Sequence, residues 1–263
     1  MGRRINLLKG VFAIDPIPSE DRLNGIIRLS NNISKKMPTL FEELEKDVRF
    51  REGLKACLNC GVCTAICPAA AVSDYDPRKI VNTVQVKDEE ELEKLLKGDE
   101  IWRCGECLSC KTRCPRGNVP CYIIQSLRGL SIEKGFFTES HQGRKQLAIK
   151  RTVGDHILKY GYCIYIDEVD NETYPEQGPV WKWMRKNRKS ILKRLGTSYG
   201  EYKAGTLRNT NKKSLEDLQK IFDETGGTRR FEKIESYSSE IAGKMNKEFS
   251  GEKDEYWRYL YNE

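Results

Sequence analysis

Histidine is scarce in this 263-residue chain, which has only His141 and His156. Neither falls in a nucleophile or metal constellation, so surface or capping roles are expected and no catalytic residue is assigned. There is no Gly-x-Gly-x-x-Gly and no Walker A sequence, which leaves no flavin, nicotinamide or nucleotide motif. No apolar run approaches the roughly 18 residues that cross a bilayer, so no membrane span is expected. The N-terminus, MGRRINLLKGVFAIDPIP, has two arginines but no sustained apolar stretch before a small-residue cleavage site. A soluble, cytoplasmic protein is expected, free or attached to something larger. Apolar residues make up 38% and charged residues 32%, a polar balance for a self-contained globule. Part of the chain is therefore expected to be extended or ordered against partners.

Cysteine is abundant by contrast. Eight of the ten cysteines fall in two runs of identical spacing, Cys57-x2-Cys60-x2-Cys63-x3-Cys67-Pro68 and Cys104-x2-Cys107-x2-Cys110-x3-Cys114-Pro115. Thiols at metal-ligand spacing must stay reduced, which points to a reducing compartment and away from a disulfide framework. The spacing is that of bacterial-ferredoxin [4Fe-4S] ligation, in which the fourth cysteine ligates the other cluster when two runs are present. The expected assignment is crossed. Cys57, Cys60, Cys63 and Cys114 hold one cluster; Cys104, Cys107, Cys110 and Cys67 hold the other. Structural zinc sites pair two C-x2-C knuckles across a longer gap, often with histidine, and fit this pattern poorly. Cys121 and Cys163 lie outside the runs and are expected to be small buried hydrophobes. Trp102, just before Cys104, is expected either to shield a cluster from water or to pack in the core.

The sequence divides into three regions. Residues 1–39 form an N-terminal arm in which Val11–Ile14 and Ile26–Leu29 suggest a short strand or two, laid on a partner or on the cluster domain. Residues 40–140 form the two-cluster domain. A helix is expected from a capping box at Thr39 and Glu42, with Leu40, Leu44, Val48 and Arg51 on one stripe towards Gly53. Further helices are expected from the Asp76-Pro77 cap, from Asp88 with Leu92, Leu95 and Leu96 inward, and over Ile123, Ile124, Leu127 and Leu130 to about Gly135. Residues 141–263 form a mixed or helical C-terminal extension for partner docking. Tyr160–Ile166 suggests a strand there, and Val180–Leu195 an amphipathic helix with Trp181, Met184, Ile191, Leu192 and Leu195 inward. A third element suggests a helix capped at Ser214 with Leu215, Leu218, Ile221 and Phe222 inward. The charged, aromatic C-terminal stretch suggests a tail that docks or stays mobile. The fold class is mainly α.

The 180–195 segment also carries Lys182, Arg185, Lys186, Arg188, Lys189, Lys193 and Arg194. A solvated face, a docking site for an acidic partner and nucleic-acid binding all accommodate it. A redox-sensing nucleic-acid regulator and a zinc-stabilised interaction module are the alternatives to an electron conductor, and the iron–sulfur subunit of another dehydrogenase is the alternative within that role. With two cluster motifs and no substrate motif, conduction is the expected role.

From about Leu54 to Phe137 the chain resembles the C subunit of heterodisulfide reductase. The resemblance rests on the tandem runs, Ile101-Trp102 before the second, Cys114-Pro115-Arg116-Gly117 after it, and Leu127-Arg128 before Glu133-Lys134-Gly135-Phe136. It implies a helical ferredoxin-type fold with two [4Fe-4S] clusters. It also implies work beside a flavin-containing A subunit and a catalytic B subunit with CCG motifs. Gly178–Trp183 and Thr225–Thr228 look similar to the C subunit of heterodisulfide reductase-like complexes of sulfur oxidisers. That likeness implies sulfur metabolism with a lipoate-carrying protein as a partner; from the basic segment an acidic partner is expected, and no nucleic acid.

Overall fold

A computed structural model describes residues 38–251 and 253–262. The chain divides into Met1–Thr39 and Leu40–Glu263, and the helices described below all belong to the second unit. The strands expected in the N-terminal arm lie outside the described residues.

Among the described residues the secondary structure is helical. The helix expected from Leu40 to Gly53 forms as two, Leu40–Leu44 and Val48–Gly53. The break is local chemistry. The Asp47 carboxylate accepts from the Arg49 amide at 2.8 Å and restarts the helix as an N-cap. The restart turns Val48 out to 59% exposure, while Phe41, Leu44 and Phe50 go inward. Gly53 is required where it is: a Cβ there would lie 3.0 Å from the Tyr122 Cβ and 3.1 Å from the Val119 carbonyl. That close approach lets the Val119 amide donate to the Gly53 carbonyl at 2.8 Å.

Helices Pro77–Val86 and Glu89–Lys97 begin as expected. Asp76 accepts from the Arg78 and Lys79 amides, and Asp88 from the Glu91 amide. Three glutamates in the first turn of the second helix complement its positive end. One of them, Glu89, also accepts from the Leu40 amide at 2.7 Å and so ties the first helix to this one. The central helix, Pro120–Lys134, opens on a proline and ends at Gly135 in the left-handed conformation. Cys121, Ile123, Ile124, Ser126, Leu127, Leu130, Ser131 and Ile132 are buried around it, the pattern of a helix enclosed on most sides. The Ser131 hydroxyl donates to the Leu96 carbonyl at 2.7 Å and so is satisfied inside the core.

The extension departs from expectation in several places. Tyr160–Ile166 forms no strand: Tyr160 ends helix Asp155–Tyr160, and Gly161 follows at φ 78°. The Tyr160 and Tyr165 rings then stack at 4.2 Å, folding back the alternating aromatic pattern that suggested a strand. The basic helix breaks at Asn187 into Gly178–Lys186 and Arg188–Arg194; Leu192 is buried but Leu195 is 71% exposed. Helix Lys212–Glu224 is capped by Asn211 rather than Ser214, and Ile221 points out. The C-terminal stretch docks as helix Glu255–Asn262, burying Tyr256, Trp257 and Leu260. Of these, Tyr256 and Leu260 join Phe137, Leu147, Ile234 and Ala242 in a core that also takes in Ile132 of the central helix. Arg151, buried beneath, meets Asp254 at 2.7 Å and Glu235 at 2.6 Å.

Candidate metal centre

The two cysteine runs share a backbone feature. Asn59 (φ 56°) and Gly61 (φ 77°) are left-handed in the first, as are Glu106 (φ 53°) and Leu108 (φ 61°), each 47 positions on. In each run the amide two residues after the first cysteine points at that cysteine's sulfur. Asn59 N lies 3.3 Å from the Cys57 Sγ, and Glu106 N lies 3.4 Å from the Cys104 Sγ. A leucine held at positive φ is costly by itself and marks a loop shaped for something it encloses.

Each loop is held by a helix. From Pro77–Val86, Gln85 accepts from the Cys57 amide at 2.6 Å, Asn82 donates to Asn59 at 2.8 Å, and Asp76 at the helix start accepts from the Thr64 hydroxyl. From the central helix, Arg128 donates to the Ile101 and Cys104 carbonyls and to Glu106, to which Gln125 also donates. Asn59 and Glu106 thus occupy equivalent positions and are both gripped from a helix. Sequence reasoning missed Arg128, Gln85 and this matched pair. The repeated spacing could have led to the pair, since aligning the runs superposes Asn59 on Glu106.

A cavity of about 260 Å³ lies between the runs. Cys67, Cys104, Cys107 and Cys110 all line it, as do Cys63 and Cys121, although among the described residues no three such side chains stand close enough to share one metal ion. Tyr75 lines it too, with its hydroxyl buried and without a hydrogen-bond partner. Burial, together with the neighbouring Cys104 and Cys67, pushes the Tyr75 phenol well up and keeps it a neutral donor. At the other run, the residues after Cys114 lie against those before Cys57. Arg116 Nε donates to the Ala56 carbonyl at 3.4 Å, and Asn118 accepts from the Lys55 amide at 2.7 Å.

The fit to [4Fe-4S] clusters rests on these observations. The metal-ligating side chains lining the cavity are cysteine sulfurs, with no histidine or carboxylate among them. The stranded Tyr75 hydroxyl stands beside these sulfurs, where a thiolate or sulfide would accept from it. Burial raises the Cys63 and Cys110 thiols, a cost that iron binding as thiolate would offset. Cys107 differs: the Ser109 hydroxyl at 3.4 Å lowers it, and it is exposed.

The remaining candidates sort themselves. Cys121 is buried as expected, although against the cluster cavity, where burial and then Cys104 push it up to about 12. Cys163 is exposed, contrary to expectation. His156 is buried at 8% exposure, not on the surface, and burial lowers its pKa. Trp102 packs between the two larger cores with the Arg128 guanidinium over its ring. Of the basic segment, Arg185 and Arg188 are occupied internally, Arg185 on the Ile166 and Asp167 carbonyls and Arg188 on Asp167 and Tyr199. Lys182, Lys186, Lys189, Lys193 and Arg194 face solvent more openly.

Residues 53–118 match the 4Fe-4S dicluster domain family. The chain is 34% identical over 190 residues to the C subunit of the ferredoxin:CoB-CoM heterodisulfide reductase of Methanosarcina acetivorans, covering 72% of this chain and 69% of that one. It is 31% identical over 147 residues to the iron–sulfur C subunit of the CoB–CoM heterodisulfide reductase of Methanopyrus kandleri, 52% of this chain and 75% of the other. The chain belongs to the family of heterodisulfide reductase C subunits. It is an iron–sulfur, electron-transfer component of an oxidoreductase. The first match spans more of the chain than the cysteine domain alone, so the likeness extends past the region in which the family's motifs were legible. Among the described residues no helix is long and apolar enough to cross a membrane.

Proposed function

We propose that this C subunit carries two [4Fe-4S] clusters with crossed ligation and relays single electrons between two partners. One partner is a flavin-bearing A subunit, and the other is a CCG-type B subunit where thiol–disulfide chemistry takes place. When bound, each cluster takes up and returns one electron at a time. The chain's own residues do the rest. Cys57, Cys60, Cys63 and Cys114 would hold the first cluster, and Cys104, Cys107, Cys110 and Cys67 the second. The observation that supports this reading is that the end of the first run, Cys67 with its neighbour Cys63, lines the same cavity as the second run's first three cysteines. Each fourth cysteine then belongs to the opposite loop, so the runs cross-link one another and keep the clusters near.

Other residues set the surroundings. Tyr75 offers its hydroxyl to the second sulfur set. Arg128 and Gln85 hold the loop carbonyl and amide that would otherwise face water. Cys60 and Cys107 are exposed, which leaves each loop an approach for a partner. The relatives are components of CoB–CoM heterodisulfide reductases, which supports a disulfide-handling partner for this chain. The lysines along 182–193 supply a docking face for an acidic or lipoate-carrying protein, which is the form that a role in sulfur oxidation would take.

Anaerobic affinity capture of the chain from its native lysate tests the assembly. A flavoprotein and a CCG-type protein are expected to co-purify in fixed ratio, with electrons from the flavin reducing the clusters. Capture of the iron-loaded chain with neither would overturn the assignment.

A further inference from the structure

Behind the second cysteine loop, a cleft of about 350 Å³ opens between the Val48–Gly53 helix, the central helix and helix Gly227–Lys244. Its far wall is the π-helical turn Lys150–Gly154. Four cations line it, and three are paired: Arg49 with Asp47 at 2.6 Å, Arg128 with Glu106 at 2.6 Å, and Lys150 with Glu235 at 2.9 Å. The fourth, Arg230, makes no side-chain hydrogen bond or ion pair among the described residues. It stands instead beside a like charge. A methyl group at Gly129 would lie 3.4 Å from Arg230 Nη2 and 3.8 Å from Arg49 Nη2, so both guanidinium groups converge over one bare patch of the central helix.

A glycine inside a helix costs stability relative to alanine, and here its missing side chain leaves room in front of the two arginines. Arg230 keeps contact with solvent at the rim of the cleft; desolvation, with Arg49 adding to it, holds its guanidinium below its usual range, and Asp47 and Glu133 offset this only in part. The rest of the cleft is largely apolar. Ile149, 52% exposed, stands on one side, and Phe231 and Ile234 continue the wall. A pair of forked donors over an apolar slot is a recognition pattern for an oxyanion carried on an apolar body.

We propose that this cleft binds a small organic anion, whose carboxylate or phosphate head accepts hydrogen bonds from Arg230 and Arg49 and whose apolar part lies along Ile149 and Phe231. The volume falls within the usual range for small-molecule sites. Glu106, held by Arg128, lines the same cleft and sits between Cys104 and Cys107, so an occupant adds its charge beside the second cluster's loop.

The test is titration calorimetry on the full-length, cluster-loaded chain under anaerobic conditions, with inorganic phosphate, hexanoate and hexyl phosphate as probes. Saturable binding of hexanoate or hexyl phosphate, tighter than inorganic phosphate, is expected. Which head binds better decides between the carboxylate and phosphate forms. Arg230→Gln is expected to weaken binding at least tenfold, about 1.4 kcal/mol, whereas Arg229→Gln, on an exposed neighbour paired with Glu133, leaves it unchanged. Without ligand, Arg230→Gln is expected to unfold at the same temperature as the parent, because the Arg230 side chain makes no hydrogen bond or ion pair among the described residues that the change would remove. No saturable heat up to about 10 mM of any probe, equal loss in the two variants, or marked destabilisation by Arg230→Gln alone would each overturn the proposal.

Discussion

Arg128 sits on the central helix, yet its Nη2 donates to the carbonyl of Cys104, the first residue of the second run, at 2.7 Å. Its Nε donates to the Ile101 carbonyl at 2.7 Å, and its Nη1 to Glu106 at 2.6 Å. One side chain therefore spans the entry, the first ligand and the left-handed residue of the loop. Arg128→Met would leave two carbonyls and a carboxylate without their donor. A loss of about 3 kcal/mol in loop stability is expected. The measurable result is selective. Iron per chain should fall from about eight to about four, with the loss confined to one set of cubane EPR signals. Arg128→Lys should retain part of the second signal through a single contact. Full iron loading and unchanged thermal stability in the methionine variant would show that the clamp is dispensable.

The cysteine runs and the helices around them are legible in the sequence because their signals are short-range. Two-residue cysteine gaps, Asp76-Pro77, Asp88 before three glutamates, and Gly135 after an apolar stretch each specify geometry within a turn or two of chain. Val48 escapes the pattern because Asp47 competes as a cap in the middle of an apparently continuous apolar stripe. Tyr160–Ile166 escapes it because alternation cannot tell a strand from a segment whose aromatic rings fold onto one another. Arg128, Gln85 and Tyr75 are not legible as site residues. Their roles depend on which helix lies behind which loop, and that is fixed by contacts such as Gly53 against Tyr122 and Ser131 against Leu96. Arg185 and Arg188 illustrate the converse. In sequence they belong to a basic face, and in the fold they are turned onto Ile166, Asp167 and Tyr199.

If ligation is crossed as proposed, Cys67 and Cys114 report on the opposite loop. Cys67→Ser is expected to damage the cluster held by Cys104, Cys107 and Cys110, and Cys114→Ser the cluster held by Cys57, Cys60 and Cys63. Mössbauer or EPR spectra of both variants, compared with Cys60→Ser and Cys107→Ser as loop-specific references, would assign each signal. If Cys67→Ser matched the Cys60→Ser spectrum, ligation would run within each loop and the crossing would be wrong.

Tyr75 offers a test of the second cluster's surroundings that does not disturb ligation. Its hydroxyl is a buried donor with no partner among the described residues, beside Cys104 and Cys67. A donor aimed at cluster sulfur stabilises the more negative, reduced state and so raises the potential. One hydrogen bond of about 1 kcal/mol corresponds to a shift of roughly 40 mV for a one-electron couple. Tyr75→Phe should lower the potential of the second cluster by about that amount and leave the first unchanged. Potentiometric titration followed by EPR measures both in one sample. An unchanged potential, or an equal shift in both clusters, would mean that the hydroxyl does not address this cluster.

The extension has its own acid sensitivity, set by Asp254. Burial would raise this carboxylate, but the Trp257 amide at 2.8 Å and the Arg151 guanidinium at 2.7 Å together hold it below its ordinary value of 3.8. Asp170, buried in part and held by Thr173 and Lys253, is lowered to about 2. For carboxylates lowered on folding, the stabilisation is fully present above the unfolded pKa and disappears as pH falls through the folded one. The denaturation midpoint of the extension, followed by the near-UV signal of Trp257 and its stacked neighbour Tyr261, should therefore be level from about pH 8 to pH 7, decline gently below about pH 6.5 because buried His156 resists its proton, and fall further between about pH 4 and pH 2. Asp254→Asn separates the contributions. Asparagine still caps the final helix, but it leaves buried Arg151 with Glu235 as its carboxylate, so a loss of about 2–3 kcal/mol is expected at neutral pH. The variant's acid limb should be correspondingly shallower, because one of the groups that takes up a proton on acid unfolding is gone. A variant as stable as the parent at pH 7, or with the same loss between about pH 4 and pH 2, would show that the Arg151–Asp254 pair does not govern how the extension holds together.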